Sequence, residues 1–381
     1  MESGQRSSHP IAVTVVLALA AVIGAFAIAA IWANQQLLDT RSWVVVSGRM
    51  LDNPEVRHQV AAFLAEELID ETEGRLNAAG EDEVAAEVVP QLRRRGPALA
   101  ERVIASPPFR AVWLRANRTA HRTLLRVLDE EGPSDGAVVV NLTPALRELA
   151  DSLSATELAE SLGIGDLGSL VAPGAARIEV LEADELDQAQ DAVRAIRSLP
   201  VPATIATVAL LALALLLGRA APARTFFGVG LSLAAAGGLA LLARLLAGHE
   251  VVDTLLAGHA DREAAEAAWR IATSTVVDLA VGAICLGGLI ALFAVLAGRS
   301  APAVGLRRGL APLVRQPLAA FFTLAIAVLA FLLFLAWAPI AALEEPLGVL
   351  LFAAAYGVGA VALARTAILE EQRGGSPSGW A

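Results

Sequence analysis

The chain has 381 residues, 56% of them hydrophobic, and a formal net charge of −10 at pH 7. That apolar share exceeds what is usual for a soluble globular domain, and the acidic balance argues against a general nucleic-acid role. All 29 basic residues are arginine, and the single cysteine, Cys285, excludes an intrachain disulfide and any cysteine-based zinc or redox motif.

A helix needs about 20 apolar residues to cross the hydrocarbon layer of a bilayer. The first such run is Ile11–Ala33, which follows a short N-terminus, residues 1–10, carrying Arg6. It exceeds the roughly 7–15 apolar residues of a cleaved signal peptide and reads as a signal anchor.

Residues 34–200 follow, with 28 acidic groups against 17 arginines. The chain's acidity therefore belongs to this segment, which is long enough for a domain with its own core. Asn53-Pro54 reads as a helix cap followed by proline at the first helical position. Val56, Val60, Phe63, Leu64 and Leu68 then trace one apolar stripe. The acidic, weakly periodic stretch from Glu71 to Glu87 reads as a loop with helical turns. Ser106-Pro107-Pro108 starts a second helix, with Val112, Trp113, Ala116, Ala120, Leu124 and Val127 along one side, ending near Gly132-Pro133. Gly136–Leu142 and Ala176–Leu181 place β-branched residues between turn formers and read as short strands. A helix from Thr143 through Leu153 separates them, and another from Asp184 to Ser198 leads into the next span. The sequence leaves parallel and antiparallel pairing open.

Five further runs qualify as spans: Val201–Gly218, Phe226–Ala247, Ile271–Ala297, Leu318–Ile340 and Leu347–Ala364. The expected fold class is mainly α, a six-helix transmembrane bundle. A mostly helical α+β extracytoplasmic domain is inserted between spans 1 and 2. Short arginine-rich connections lie on the cytoplasmic side. Arg219 and Arg224 join spans 2 and 3, Arg299, Arg307, Arg308 and Arg315 occupy 298–317, and Arg365 opens the tail, 365–381. The connection 248–270 is acidic, with Glu250, Asp253, Asp261, Glu263 and Glu266 outnumbering Arg262 and Arg270, and Glu344-Glu345 separates the last two spans. Both termini are thus expected in the cytoplasm, with 34–200 and 248–270 outside. Trp32, Trp269 and Trp337 fall at the expected outer ends of their spans, where an amphipathic ring suits the headgroup layer.

Two groups of residues could carry chemistry. Arg115, Arg118, Arg122 and Arg126, beside Arg110 and His121, recur every three or four residues along one helix face. They form either an anion-binding strip, which the planar guanidinium fork suits, or a solvated face paired with nearby carboxylates. Asp278 lies within the fourth span, where a carboxylate costs about 2.5–3.5 kcal/mol on insertion scales and normally faces protein, water or a counter-charge. Arg244, near the outer end of the third span, is its expected partner; an ion or proton relay and a solvent-reaching carboxylate are the alternatives. Gly230, Ala234 and Gly238 in the third span form a small-residue face for close packing within the bundle, with dimerisation the alternative, and Gly357 and Gly359 beside Tyr356 read the same way. His249 and His259 share an acidic connection but lack the i, i+4 spacing of a metal site. No Walker, GxGxxG, GxSxG or HExxH motif occurs, so no catalytic residue, cofactor site or metal site is expected.

The segments Asp52-Asn-Pro-Glu-Val-Arg57, Trp113-Leu-Arg-Ala-Asn-Arg-Thr-Ala-His121, Val138-Val-Val-Asn-Leu-Thr143, Arg177-Ile-Glu-Val-Leu181 and Gln190-Asp-Ala-Val-Arg194 resemble those of uncharacterised actinobacterial multi-pass integral membrane proteins. The resemblance runs from about residue 10 to 370 and implies a cell-membrane protein, with no catalytic residues to transfer. In layout alone, one span, an outer domain and five spans, the chain is similar to half of a resistance-nodulation-division transporter or a SecD/SecF-type subunit. The outer domain here reads as more helical than theirs, and Asp278 lies nearer the outer surface than a midplane relay. The expected function is non-enzymatic: an envelope scaffold, binding or sensing protein embedded in the lipid bilayer. Its expected partners are an envelope protein, an anionic lipid or a wall polymer, with no nucleic acid. The alternative is a transporter or half-transporter that uses Asp278.

Overall fold

The structure is a computed structural model, described over residues 10–80, 82–129, 138–141, 177–181, 183–257, 261–298 and 346–374, with residue 305. The described residues are mainly helical and divide into two compact units. The fifth expected span, 318–340, and the helix expected from Thr143 lie outside them.

One unit comprises the described residues of 32–198 and 246–274. Its helices are α2 (Thr40–Asp52), α3 (Pro54–Ala78), α4 (Asp82–Ile104) and α5 (Pro107–Asp129), followed by strands β1 (Val138–Asn141) and β2 (Arg177–Leu181) and helix α6 (Ala183–Ser198). Side chains cap these helices where the local sequence allows. Asp39 accepts from the Ser42 amide at 2.8 Å to start α2, and Asn53 accepts from the Val56 amide at 3.0 Å to start α3. Pro54 and Pro107 occupy first-turn positions, where no N–H is required. The strands pair antiparallel, Val139 opposite Glu179 and Val140 opposite Ile178, with a register irregularity after Val138. That resolves the direction the sequence left open.

Two expectations for this unit are corrected. The Glu71–Glu87 stretch is helical: α3 runs on to Ala78, the chain turns at Gly80 with φ +75°, and α4 begins at Asp82. Glycine suits that turn because a side chain rarely adopts positive φ. Phe63 and Leu64 do not lie on the buried stripe; Phe63 is 61% exposed, and the buried face of α3 carries Ala61, Ala65 and Ile69 instead. This face packs on α4, where Gly96 lies beside Ala65 and Ile69. Small side chains at four-residue spacing let the two helices approach closely. Ile69, Ala85 and Val89 form one cluster, and Leu51, Ala61, Ile104 and Phe109 form a second. Helix α4 persists through Pro90 and Pro97, each of which removes one backbone donor. Tertiary burial of Ala85 and Val89 offsets that loss.

The expected connection 248–270 is itself largely helical. Helix α8 (Pro222–Ala257) continues past the apolar run, and α9 (Arg262–Ala272) follows it. Gly248 lies against the Trp269 indole, and the Trp32 indole donates to the Ala272 carbonyl at 2.9 Å. Thr273 is buried and breaks α9 from α10 (Ser274–Leu296), so the helix of the fourth expected span starts at Ser274 rather than Ile271.

The other unit comprises the described residues of 1–31, 199–245 and 275–381. It is built from α1 (Pro10–Leu38), α7 (Pro200–Leu217), α8, α10 and α11 (Pro346–Gly374). Four helical segments are long and apolar enough to cross a membrane: Pro10–Leu38, Gln188–Leu217, Pro222–Thr254 and Ser274–Leu296. The apolar part described within α11, Gly348–Val361, is shorter. Large apolar side chains point outward, with Ile11 80%, Val201 66% and Ile205 62% exposed. In water such a surface would drive association; against lipid tails it costs nothing. The contacts inside are correspondingly small or hydrogen-bonded. Gly24 faces Ala236 and Thr207, and the buried Ser232 hydroxyl donates to the Leu17 carbonyl at 2.7 Å. Gly230 meets the Gly287 backbone and Gly237 meets the Ala280 backbone, so α8 and α10 run antiparallel in close contact. Gly238 faces open space; the packing face is therefore Gly230, Ala234 and Gly237. Gly359 lies against the Phe293 ring, which meets Tyr356 edge-on at 5.5 Å, whereas Gly357 is open.

Candidate functional site: an arginine-lined pocket

Helix α5 has two faces set by its spacing. Phe109, Val112 and His121 are buried, whereas Arg115, Arg118, Arg122 and Arg126 are all exposed. Helix α2 packs against α5, with Gly48 beside the Leu114 side chain and the Trp113 indole donating to the Ser47 carbonyl at 3.1 Å. Where the first turn of α2 meets the middle of α5, a mainly apolar cavity of about 230 Å³ is lined by Thr40, Arg41, Val44, Val45, Arg118 and Arg122. Arg118 and Arg122 lie one turn apart on α5, and Arg41 reaches the same cavity from α2. Among the described residues no carboxylate lies within ion-pair distance of Arg118 or Arg122. The nearest acidic neighbour of Arg41 along the chain, Asp39, has its carboxylate turned to the Ser42 amide and hydroxyl, at 2.8 and 2.9 Å. Those bonds, the backbone one foremost, hold its pKa below the usual carboxylate value.

His121 lies between these arginines in sequence, yet it faces the opposite way and does not belong to the strip. It is 4% exposed and stacks on Trp43 with ring centroids 5.0 Å apart. Its Nε2 is 3.2 Å from the Leu37 carbonyl and its Nδ1 is 3.1 Å from the Thr40 hydroxyl. A carbonyl only accepts, so Nε2 carries the proton and Nδ1 accepts from Thr40. One side chain of α5 thereby ties down the last turn of α1 and the first of α2. Because Thr40 adjoins Arg41, this clamp fixes Arg41 relative to Arg118 and Arg122. Burial pushes the His121 pKa down, against the opposing pull of the Leu37 carbonyl and Asp39.

The other expected residues are placed differently. Arg110 pairs with Asp52 across α5 and α2, and Arg115 also has a partner, so these two fit the ordinary solvated-face reading. Arg126 is exposed two turns beyond Arg118. The sequence did not single out Arg41, whose signal was an arginine in the first turn of a helix, followed by Val44, Val45 and Val46. Arg244 on α8 and Asp278 on α10 are both half-buried, and neither side chain is without a partner. Among the described residues no group of three His, Cys, Asp or Glu side chains is placed to hold a metal ion; His259 lies outside them. A second cavity, about 650 Å³, lies among α1, α7 and α8 and is walled mainly by apolar groups such as Leu17, Leu217 and Phe227. It offers one charged side chain, Arg224.

The chemistry available at the α2–α5 pocket is anion recognition. Three arginines line one mainly apolar cavity, and each guanidinium can donate two parallel hydrogen bonds to a phosphate or carboxylate. Comparison with family models, with curated proteins and with solved structures finds no match to this chain.

Proposed function

We propose that the protein is a non-enzymatic, multi-pass plasma-membrane protein with both termini in the cytoplasm. Its mostly helical α+β domain, residues 34–200, stands outside and binds or scaffolds an anionic component of the cell envelope. The observation that carries this reading is the convergence of Arg41, Arg118 and Arg122 on one cavity. The net negative charge of the segment gives that observation its weight: three cations lining one cavity in an acidic domain, with no carboxylate in ion-pair distance of Arg118 or Arg122 among the described residues, support the holding of an anion there. Four apolar helices fit a membrane location, and the arginine bias of the short connections supports the orientation.

The full-length protein in nanodiscs of zwitterionic lipid tests the reading through its binding of anionic vesicles and of an acidic wall polymer. Binding should weaken as salt rises, and replacing both Arg118 and Arg122 with Gln should lower affinity at least tenfold, since even one charge-assisted contact contributes roughly 1.5–3 kcal/mol. A double variant that binds every polyanion as well as the parent does would contradict it.

A transporter reading has one specific observation in its favour, the intramembrane Asp278. The packing of Gly230 on Gly287 and Gly237 on Ala280 sets position 278 across from about positions 239–243. Arg244 is thus within roughly 7.5 Å of it along the helix axis. The same placement supports a structural Arg244–Asp278 pair. Solute flux in proteoliposomes separates the two: a relay loses flux in D278N, whereas a structural pair loses folded protein in D278N or R244Q and regains it in the charge-swapped double variant.

A further inference from the structure

We propose that the α2–α5 pocket is a headgroup site for an anionic phospholipid, the phosphate being held between Arg41 on one helix and Arg118 and Arg122 on the other. This rests on the anion-binding reading above and names the anion. The first argument is position. Helix α1 ends at Leu38, and Thr40, the first residue lining the pocket, follows two positions later in the chain. Thr40 lies seven residues past Ala33, where the apolar run ends, about 10 Å of helix, which sets it at the outer margin of a headgroup layer about 5–8 Å thick. The second argument is the mixed lining. Val44 is buried, while Val45 is 48% exposed beside the arginines. An apolar side chain at the mouth of a cationic pocket suits a ligand that is charged at one end and apolar at the other. A soluble polymer has no use for it.

The third argument is preorganisation. The His121 clamp on Leu37 and Thr40 holds the end of α1 and the start of α2 against α5. The arginines therefore come together without the ligand having to assemble them. The Thr40 hydroxyl is committed to His121 and shapes the wall, so the donors to phosphate are guanidinium groups.

The test uses full-length, delipidated protein in neutral detergent, with native mass spectrometry and titration of short-chain phosphatidylglycerol, phosphatidylcholine, glycerol phosphate and an anionic wall-polymer fragment. Phosphatidylglycerol should bind one equivalent in preference to phosphatidylcholine. Its affinity should fall about tenfold in R41Q and at least tenfold in R118Q/R122Q, and change little in R126Q, which lies outside the pocket. Glycerol phosphate should compete only at far higher concentration. Equal binding of glycerol phosphate and phosphatidylglycerol would overturn the lipid assignment in favour of a soluble phosphate ligand. Pocket-dependent binding of the wall polymer alone would overturn it too, leaving the broader anion-binding reading intact. If R126Q weakens lipid binding as much as R41Q does, the pocket is not the site. If no anion binds, both readings fail together. Where R118Q/R122Q does not fold, R41Q alone carries the comparison.

Discussion

His121 shows how one residue can serve packing and electrostatics at once. Its ring fills the space beside Trp43, and its two nitrogens satisfy Leu37 and Thr40. Burial favours the neutral ring, in which Nδ1 accepts from the Thr40 hydroxyl. Burial lowers its pKa below the ordinary 6.5, so the unfolded chain takes up the proton first. The stability His121 contributes is therefore complete above about pH 6.5 and is lost as pH falls through the folded-state value. Thermal unfolding of the purified protein should show an acid-side decline that is flattened in H121F. At neutral pH that variant should be less stable by about 1–3 kcal/mol, because the Leu37 and Thr40 groups lose their partner. An unaltered acid limb in H121F would remove this role. The arginines next to it were legible in the sequence because helical spacing aligns them, but Arg41 was not. It lies in another helix, 77 positions before Arg118, and only the fold brings the two together.

At the scale of helices, local signals were read correctly and packing faces less well. Asn53-Pro54 and Ser106-Pro107 announce helix starts through chemistry within three residues, and the structure places caps there. The α3–α4 pair was missed because its interface carries Ala61, Ala65, Ala85 and Gly96, residues that contribute little to an apolar stripe. Their value lies in closeness, which a hydrophobic pattern does not record. The acidity and weak periodicity of Glu71 to Glu87 read as a loop with helical turns. The same blindness shifted the small-residue face of α8 by one position, from Gly238 to Gly237. The two glycines provide a matched test. Replacing Gly237 with Leu should destabilise the protein by about 1–3 kcal/mol through overpacking, whereas Gly238 faces open space and should tolerate Leu. Detergent-based thermal melts of the two variants check this, and equal melting temperatures would contradict the assigned face. A smaller effect belongs to the cap of α3: N53A should cost about 1 kcal/mol, seen as a lower melting temperature.

For the whole molecule, composition and run length were enough to reveal helices long and apolar enough to cross a membrane, since outward-facing side chains such as Val15, Ile205 and Leu231 leave a plain apolar record. Four such helices stand among the described residues. What composition alone cannot state is which side of the bilayer residues 34–200 occupy, and the proposed envelope role depends on it. Arginine-rich connections argue for an external domain. The most direct measurement is labelling in intact cells with a membrane-impermeant maleimide, after replacing Cys285 with Ala and placing single cysteines at Glu87 and at Arg307. The account predicts that the cysteine at 87 reacts in intact cells and that the one at 307 reacts only after permeabilisation. The reverse pattern would put the domain in the cytoplasm and contradict the proposal.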